Sequence, residues 1–349
     1  MRPDSSDWNE SLLEDNKKRA GEEAIPPNPR LRTRGDSRFE TVKLVLAFVA
    51  IYFIWGSTYL AIHYAVETFP PLVTACLRQA IAGTILLGWA LGRGFRPTPG
   101  NWLAGLILGA LFFLIGHGSL HWAQQYVSSG LAALLIATEP LFILVLAWLA
   151  GQQRLNRLSV LGLALGLFGV ALLAGGELTA TTMSFLGVMA ILGSSLSWSV
   201  GVVVAPGLKL PSDPLGRAAI PLLCGAGELL VAAWITGETR ALDWSHISLR
   251  STLGLAYLIV FGSIIAFTSY TWLLQRCPAT LVATHTYVNP LVAVFLGWLA
   301  AAERVSLWVI LATVAIPGAI LLVRAGERRA AAPVLPVGSD VGECDTGVE

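Results

Sequence analysis

From about Val42 to Val323 the chain is a succession of long apolar runs separated by short polar loops, and this pattern leaves few ways to fold. Each run approaches the ~20 residues that a helix needs to cross a hydrocarbon core of ~30 Å. None shows the strict alternation of a barrel strand. In lipid each run must satisfy its own backbone hydrogen bonds, which leaves helix as the regular element. The 349 residues are 55% hydrophobic and 13% charged, too little charge to cover a soluble domain of this length. The expected fold class is all-α, a polytopic membrane protein.

Ten transmembrane helices are expected, at roughly 43–64, 72–91, 101–120, 130–150, 158–175, 184–205, 218–236, 252–273, 280–300 and 306–323. Turn-forming residues separate them at 69–71, 96–100, 175–177 and 206–214. Residues 1–40 are polar, mix both charges and include the Pro-rich segment 25–30, which reads as a disordered cytoplasmic leader. The first apolar run starts too late for a cleaved signal peptide and is followed by more spans, so it is expected to stay as a signal anchor. Residues 325–349 form a second polar tail. With the N-terminus inside, fifteen Lys and Arg fall on the inner side, five of them in residues 30–43, against Arg240, Arg250 and Arg304 outside. That bias places both termini in the cytoplasm.

The two halves are related. Residues 131–154 align without gaps to 281–304 with nine identities, among them Pro140 with Pro290, Trp148 with Trp298 and Arg154 with Arg304. The same offset of 150 pairs Trp122 with Trp272 and Gln125 with Gln275. Five spans, an odd number, separate the equivalents, so the halves lie in opposite orientations as a 5+5 inverted repeat. The domains are then 1–40, a first repeat 41–175, a second repeat 176–324 and 325–349. A repeat selected only for helix packing is the bland alternative.

The pairs Glu139-Pro140 and Asn289-Pro290 sit in mid-span. Proline removes a donor and frees a carbonyl, so both helices would present unpaired backbone near the midplane; two internally satisfied kinks are the competing reading. Arg78, Glu139 and Glu228 are ionisable residues within spans and should face protein or water rather than lipid. Arg78 suits an anionic group and either Glu a proton, although each also fits a structural pair or helix–helix hydrogen bond. His117 and His285 suit a polar interior. Tyr59, Gln124, Gln125, Tyr257, Tyr270 and Tyr287 offer hydrogen bonds, and Trp55, Trp122, Trp198 and Trp272 apolar walls. Small residues around Trp55 and Trp198 equally suit close packing.

Other chemistries lack support. The histidines are scattered and form no HExxH, the four cysteines form no CxxC, and no GxxxxGK[ST] is present. Gly193–Ser195 lacks the strand-turn-helix context of a nucleophile elbow. A net charge of +1 with no basic face gives no reason to expect nucleic acid.

Residues 55–59 (WGSTY), the Pro140 and Pro290 signatures, and residues 261–265 (FGSII) followed by 287–291 (YVNPL) resemble the EamA family of the drug/metabolite transporter superfamily over residues 41–324. The resemblance implies a bacterial inner-membrane exporter of metabolites or amphipathic compounds. It also implies a central cavity walled chiefly by spans three, four, eight and nine, with five and ten peripheral. Trp55, Arg78, Pro140, Glu228, Asn289 and Pro290 match family features. Many relatives have an acid after the fourth span comparable to Glu303 after the ninth, where this chain has Gln153.

The expected function is transport by alternating access around the Pro140 and Pro290 helices, with proton coupling through Glu228 or Glu139 as one version. A membrane scaffold or sensor is the alternative, and a membrane-embedded enzyme a third reading without a reactive cluster behind it. Expected partners are a small-molecule substrate, membrane lipids, a proton if transport is coupled and, as an open alternative, a second copy in a homodimer. No cofactor or metal is expected.

Overall fold

The structure, a computed structural model, describes residues 34–151, 156–178, 182–277, 282, 284–303 and 305–331. Two units are distinguished, residues 1–45 and 46–349. In the first, helix is present from Arg34, inside the expected leader, and Lys43 pairs with Glu40 one turn away at 2.9 Å.

Ten long helices follow one another among the described residues: α1 (Glu40–Ala65), α2 (Pro71–Gly92), α3 (Pro99–Ala123), α4 (Ser129–Leu149), α5 (Arg157–Leu178), α6 (Thr182–Val204), α7 (Pro214–Ile235), α8 (Leu249–Leu274), α9 (His285–Ala301) and α10 (Leu307–Ala331). Their starts follow local chemistry. Pro71, Pro99 and Pro214 occupy first-turn positions where a missing N–H costs nothing. Thr98, Ser128, Asp213 and Ser248 cap with their side chains. Seven helices, α1 to α4 and α6 to α8, are long and apolar enough to cross a membrane; α5, α9 and α10 carry shorter apolar stretches. Helix α10 runs past the expected boundary at 324 to Ala331.

Close approaches define how the helices lie. A side chain on Gly83 would strike Leu223, and Cys76 Sγ donates to the Ala226 carbonyl, so α2 and α7 run antiparallel. Gly162 faces Ala319 and Val323 while Gly326 faces Asn156, which makes α5 and α10 antiparallel. Tyr64 reaches Ala300 and Gly56 reaches Val292, so α1 and α9 are parallel. Helices α4 and α6 are parallel as well, through Gly187 on Val127 and Ser199 on Glu139. At Gly109 an added Cβ would sit 2.6 Å from the Gly225 nitrogen; only glycine allows α3 and α7 to meet this closely.

Four helices are irregular in mid-course. Ala50–Ile54 in α1, Gly109–His117 in α3 and Leu258–Ala266 in α8 are π-helical. Helix α4 breaks at Ala137 and Thr138, ahead of Pro140. Such segments leave carbonyls short of donors, which in lipid must be found on neighbouring helices. With its amide NH2 turned to the carbonyls, the two N–H groups of Asn289 are shared among Tyr52 O (2.8 Å) and Ile51 O (3.3 Å) in the π segment of α1 and His285 O (3.0 Å) in α9. Ser194 donates to Gly116 O and Ser197 to Leu111 O, serving that of α3. The Trp55 indole donates to Gly262 O in α8 at 3.2 Å. Pro140 cannot serve the Ile136 carbonyl, which Ser195 Oγ reaches at 3.5 Å.

Candidate transport site

The irregular segments surround one cavity with about 690 Å³ of unfilled space, its mouth included. Helix α1 contributes Trp55, Thr58, Tyr59 and Ile62; α2 Arg78; α3 His117 and Leu120; α4 Ala133, Ile136, Ala137 and Glu139. Helix α6 adds Ser194, Ser195 and Trp198, and α9 His285, Thr286, Asn289 and Pro290. The walls therefore rest on α1 and α6 as much as on α3, α4 and α9. The expectation from resemblance gave α8 a larger share than it has.

Aromatic rings line one side. Trp55 lies 4.9 Å from the Tyr270 ring and 5.0 Å from that of His285, and meets Trp198 edge-on at 6.3 Å. Trp198 in turn stacks on His117 at 5.6 Å and packs at a tilt of 34° on Phe112 at 4.4 Å. Two ionisable groups of opposite type share this space without pairing. Arg78 is 3% exposed and Glu139 6%, and no ion pair is formed by either among the described residues. Burial of such groups costs free energy that a ligand of complementary polarity restores.

Nine of the twelve residues singled out from the sequence come together at the cavity: Trp55, Tyr59, Arg78, His117, Glu139, His285, Asn289 and Pro290 line it, and Tyr270 packs on Trp55 behind the rings. Pro140 sits beside it and acts through the break it makes in α4. Glu228 lies apart from the cavity. Partly exposed on α7 and absent from the cavity walls, its Oε2 is enclosed without a partner beside Cys224. The reason is the place of the helix: α7 packs on α2 and α3, and none of its residues reaches the cavity wall. The Tyr287 side chain lies outside the described residues, as do Gln153, Arg154 and Arg304. Trp122 and Trp272 are not walls; the first packs on Tyr126 and the second beneath Arg276.

Sequence reasoning missed Gln79 and Ser263, both buried and hydrogen-bonded to cavity residues, and the serines of α6 as carbonyl donors. A signal existed: Ser194, Ser195, Ser197 and Ser199 crowd one span at a density that packing alone does not need.

The two ends of the cavity differ. Toward the loop that holds Phe69, Tyr64 Oη donates to Ala300 O at 2.8 Å and Ser251 Oγ to Tyr64 O at 2.7 Å. Glu303 accepts from the Ser129 and Gly130 N–H groups at the start of α4. Glu238 accepts from Leu72 and Val73 at the start of α2. Burial pushes the Glu238 carboxyl above its ordinary value, against the opposing pull of those two N–H bonds. Toward the opposite end lies a second cavity among α3, α6, α7 and α8, with about 940 Å³ of unfilled space including its mouth, bordered by Phe112, Arg217 and Tyr270. Phe112 and Tyr270 both touch Trp198, so one layer of rings divides it from the first.

Membrane-length helices around a polar-lined cavity define a polytopic α-helical membrane protein. The chain belongs to the EamA-like transporter family, whose model matches it twice, over residues 42–175 and 185–325. It is 37% identical over 284 residues to "Uncharacterized inner membrane transporter YedA" of Escherichia coli (strain K12), covering 80% of this chain and 90% of that one. It is 27% identical to "Uncharacterized transporter YoaV" of Bacillus subtilis (strain 168), over 79% and 94% of the two chains. A solved structure titled "Crystal structure of protein" shares the fold, with a TM-score of 0.56 and 23% identity over 84% of this chain and 99% of that one. The protein is thus a transporter of small molecules and not an enzyme.

Proposed function

We propose that the protein exports small metabolites or amphipathic compounds across a bacterial inner membrane by alternating access, with the cavity between Arg78 and Glu139 as its cargo site. The observation that carries this reading is the pair of ionisable side chains, Arg78 and Glu139, buried without an ion partner in one aromatic-walled cavity flanked by broken helices. Export is the direction implied by the family resemblance, and the membrane is that named for the Escherichia coli relative.

The reading takes the chain as ten spans in a 5+5 inverted repeat with both termini cytoplasmic. Two matches to one family model support it. So do the packing registers: α2 lies antiparallel on α7 and α5 on α10, while α1–α9 and α4–α6 are both parallel, as exchange of the halves requires. The nine-residue π segments of α3 and α8 occupy corresponding places in the two halves. Inverted halves supply two equivalent conformations of opposite access. The charge bias orients the Phe69 end outward. In this reading Glu139 carries the coupling proton, because it faces the cavity and Glu228 does not.

The test is flux in proteoliposomes, screened over amino acids, nucleosides, organic ions and amphipathic drugs, with and without an imposed pH gradient. Cargo movement that is lost in Arg78→Gln while insertion is intact supports the site. Flux indifferent to the gradient in an active preparation sinks the proton step, and undiminished flux in Arg78→Gln sinks the site.

A further inference from the structure

Behind the cavity wall runs a hydrogen-bonded chain whose inner members do not touch the cavity. Arg78 Nε donates to Ser263 Oγ at 2.8 Å, and Ser263 Oγ donates to Gln79 Oε1 at 3.3 Å. Gln79 Nε2 then meets His117 Nδ1 at 2.6 Å. Gln79 is fully buried and Ser263 is 2% exposed. An amide nitrogen only donates, so this order assigns His117 Nδ1 as the acceptor and puts the ring proton on Nε2. Each acceptor's own hydrogen becomes the next donor, from guanidinium to imidazole. One turn on, His121 Nδ1 faces the His117 carbonyl at 2.7 Å and must donate, so the two histidines hold opposite tautomers.

We propose that Gln79 and Ser263 are positioning residues that hold Arg78 and His117 as directed N–H donors on one wall of the cavity, forming a subsite for an anionic group, such as a carboxylate, on the cargo. The proposal rests on the transport reading and deepens it. Arg78 spends its Nε on Ser263, which leaves the forked end of the guanidinium for the cavity it lines. His117 spends its only acceptor on Gln79, and its ring is held flat against Trp198 with 21° between the planes. What that wall offers a ligand from these two side chains is donors alone, and an ionised acceptor is the group that donors hold most strongly in a dry site. A substitution at Gln79 acts on both donors without altering the surface the cargo meets.

The test reads tautomer and anion preference on the full chain in lipid nanodiscs. With 15N-labelled histidine, and His117 identified by its loss in His117→Gln, the wild-type ring should show a bare Nδ1 and a protonated Nε2 at neutral pH. Gln79→Glu should move a proton onto Nδ1. Ser263→Ala, the mildest change, should leave the His117 tautomer in place while weakening anion binding. Tryptophan fluorescence titrations with benzoate and with benzamide supply the second readout. Wild type should prefer benzoate by about tenfold or more, and Gln79→Leu should lose that preference. A proton on Nδ1 in wild type, a His117 spectrum unmoved by Gln79→Glu, or equal behaviour of benzoate and benzamide overturns the proposal. None of these readings needs flux, so a protein that passes them and moves no cargo refutes transport and leaves the subsite standing.

Discussion

At the end that carries Phe69, helices far apart in sequence are tied together by hydrogen bonds, whereas at the other end the rings of Phe112, Trp198 and Tyr270 lie between the cavity and a second open space of about 940 Å³. Directional bonds to backbone groups hold one geometry and fail together when helices part. Aromatic faces slide and re-pack at lower cost. The first end is built as a latch and the second as a yielding partition. Both Glu238 and Glu303 cap a helix of the first half from the second, so opening that end requires separating the halves there.

Five substitutions at four positions sharpen this contrast, read by the labelling rate of Val66→Cys, a 6%-exposed position at the latched end, in a chain stripped of its native cysteines. Gly254→Leu should have the largest effect. An added Cβ would lie 2.8 Å from Ala61 O and 3.1 Å from Ala65 N, and overpacking of about 1–3 kcal/mol predicts labelling faster by about tenfold or more. Glu303→Ala comes next, because it strips two N–H groups of their acceptor; losing a cap costs typically about 1 kcal/mol, a rise of about fivefold. Glu238→Ala should do less, since one of its two bonds is long at 3.4 Å, and Glu238→Gln less again. Burial already disfavours the Glu238 charge, so a neutral amide oxygen keeps most of the latch. Phe95→Ala, which empties a contact on Gly216 at the opposite end, should leave Val66→Cys labelling unchanged to within about twofold. A response to Phe95→Ala as large as that to Glu303→Ala would show that the two ends do not differ in kind.

Hydropathy and proline made the helices legible, because lipid permits so few alternatives. It also made most of the site legible: a charge or a proline inside an apolar span carries a cost that must be met near a cavity. Polarity within a span does not tell which helices ring a cavity. Glu228 is as polar and as central in sequence as Glu139, but it lies on α7, which packs behind α2 and α3 and gives the cavity no wall. The π segments had no sequence mark, since they arise from how neighbouring helices supply donors. Asn289 was legible as a polar residue beside a proline, yet its amide is committed to carbonyls of α1 and α9. Its replacement is therefore expected to loosen the α1–α9 contact before it touches cargo.

The central claim is that one cavity serves both sides of the membrane, one side at a time. Its direct test is the reactivity of a single cavity cysteine, Thr58→Cys, toward an impermeant thiol reagent in oriented proteoliposomes. Each side is read alone, with and without a disulfide closing Tyr64→Cys onto Ala300→Cys. The account predicts reaction from both sides in the free protein and from only the Arg217 side once the latch is locked. Simultaneous, undiminished reaction from both sides of the locked protein, or none from either side of the free one, would contradict it.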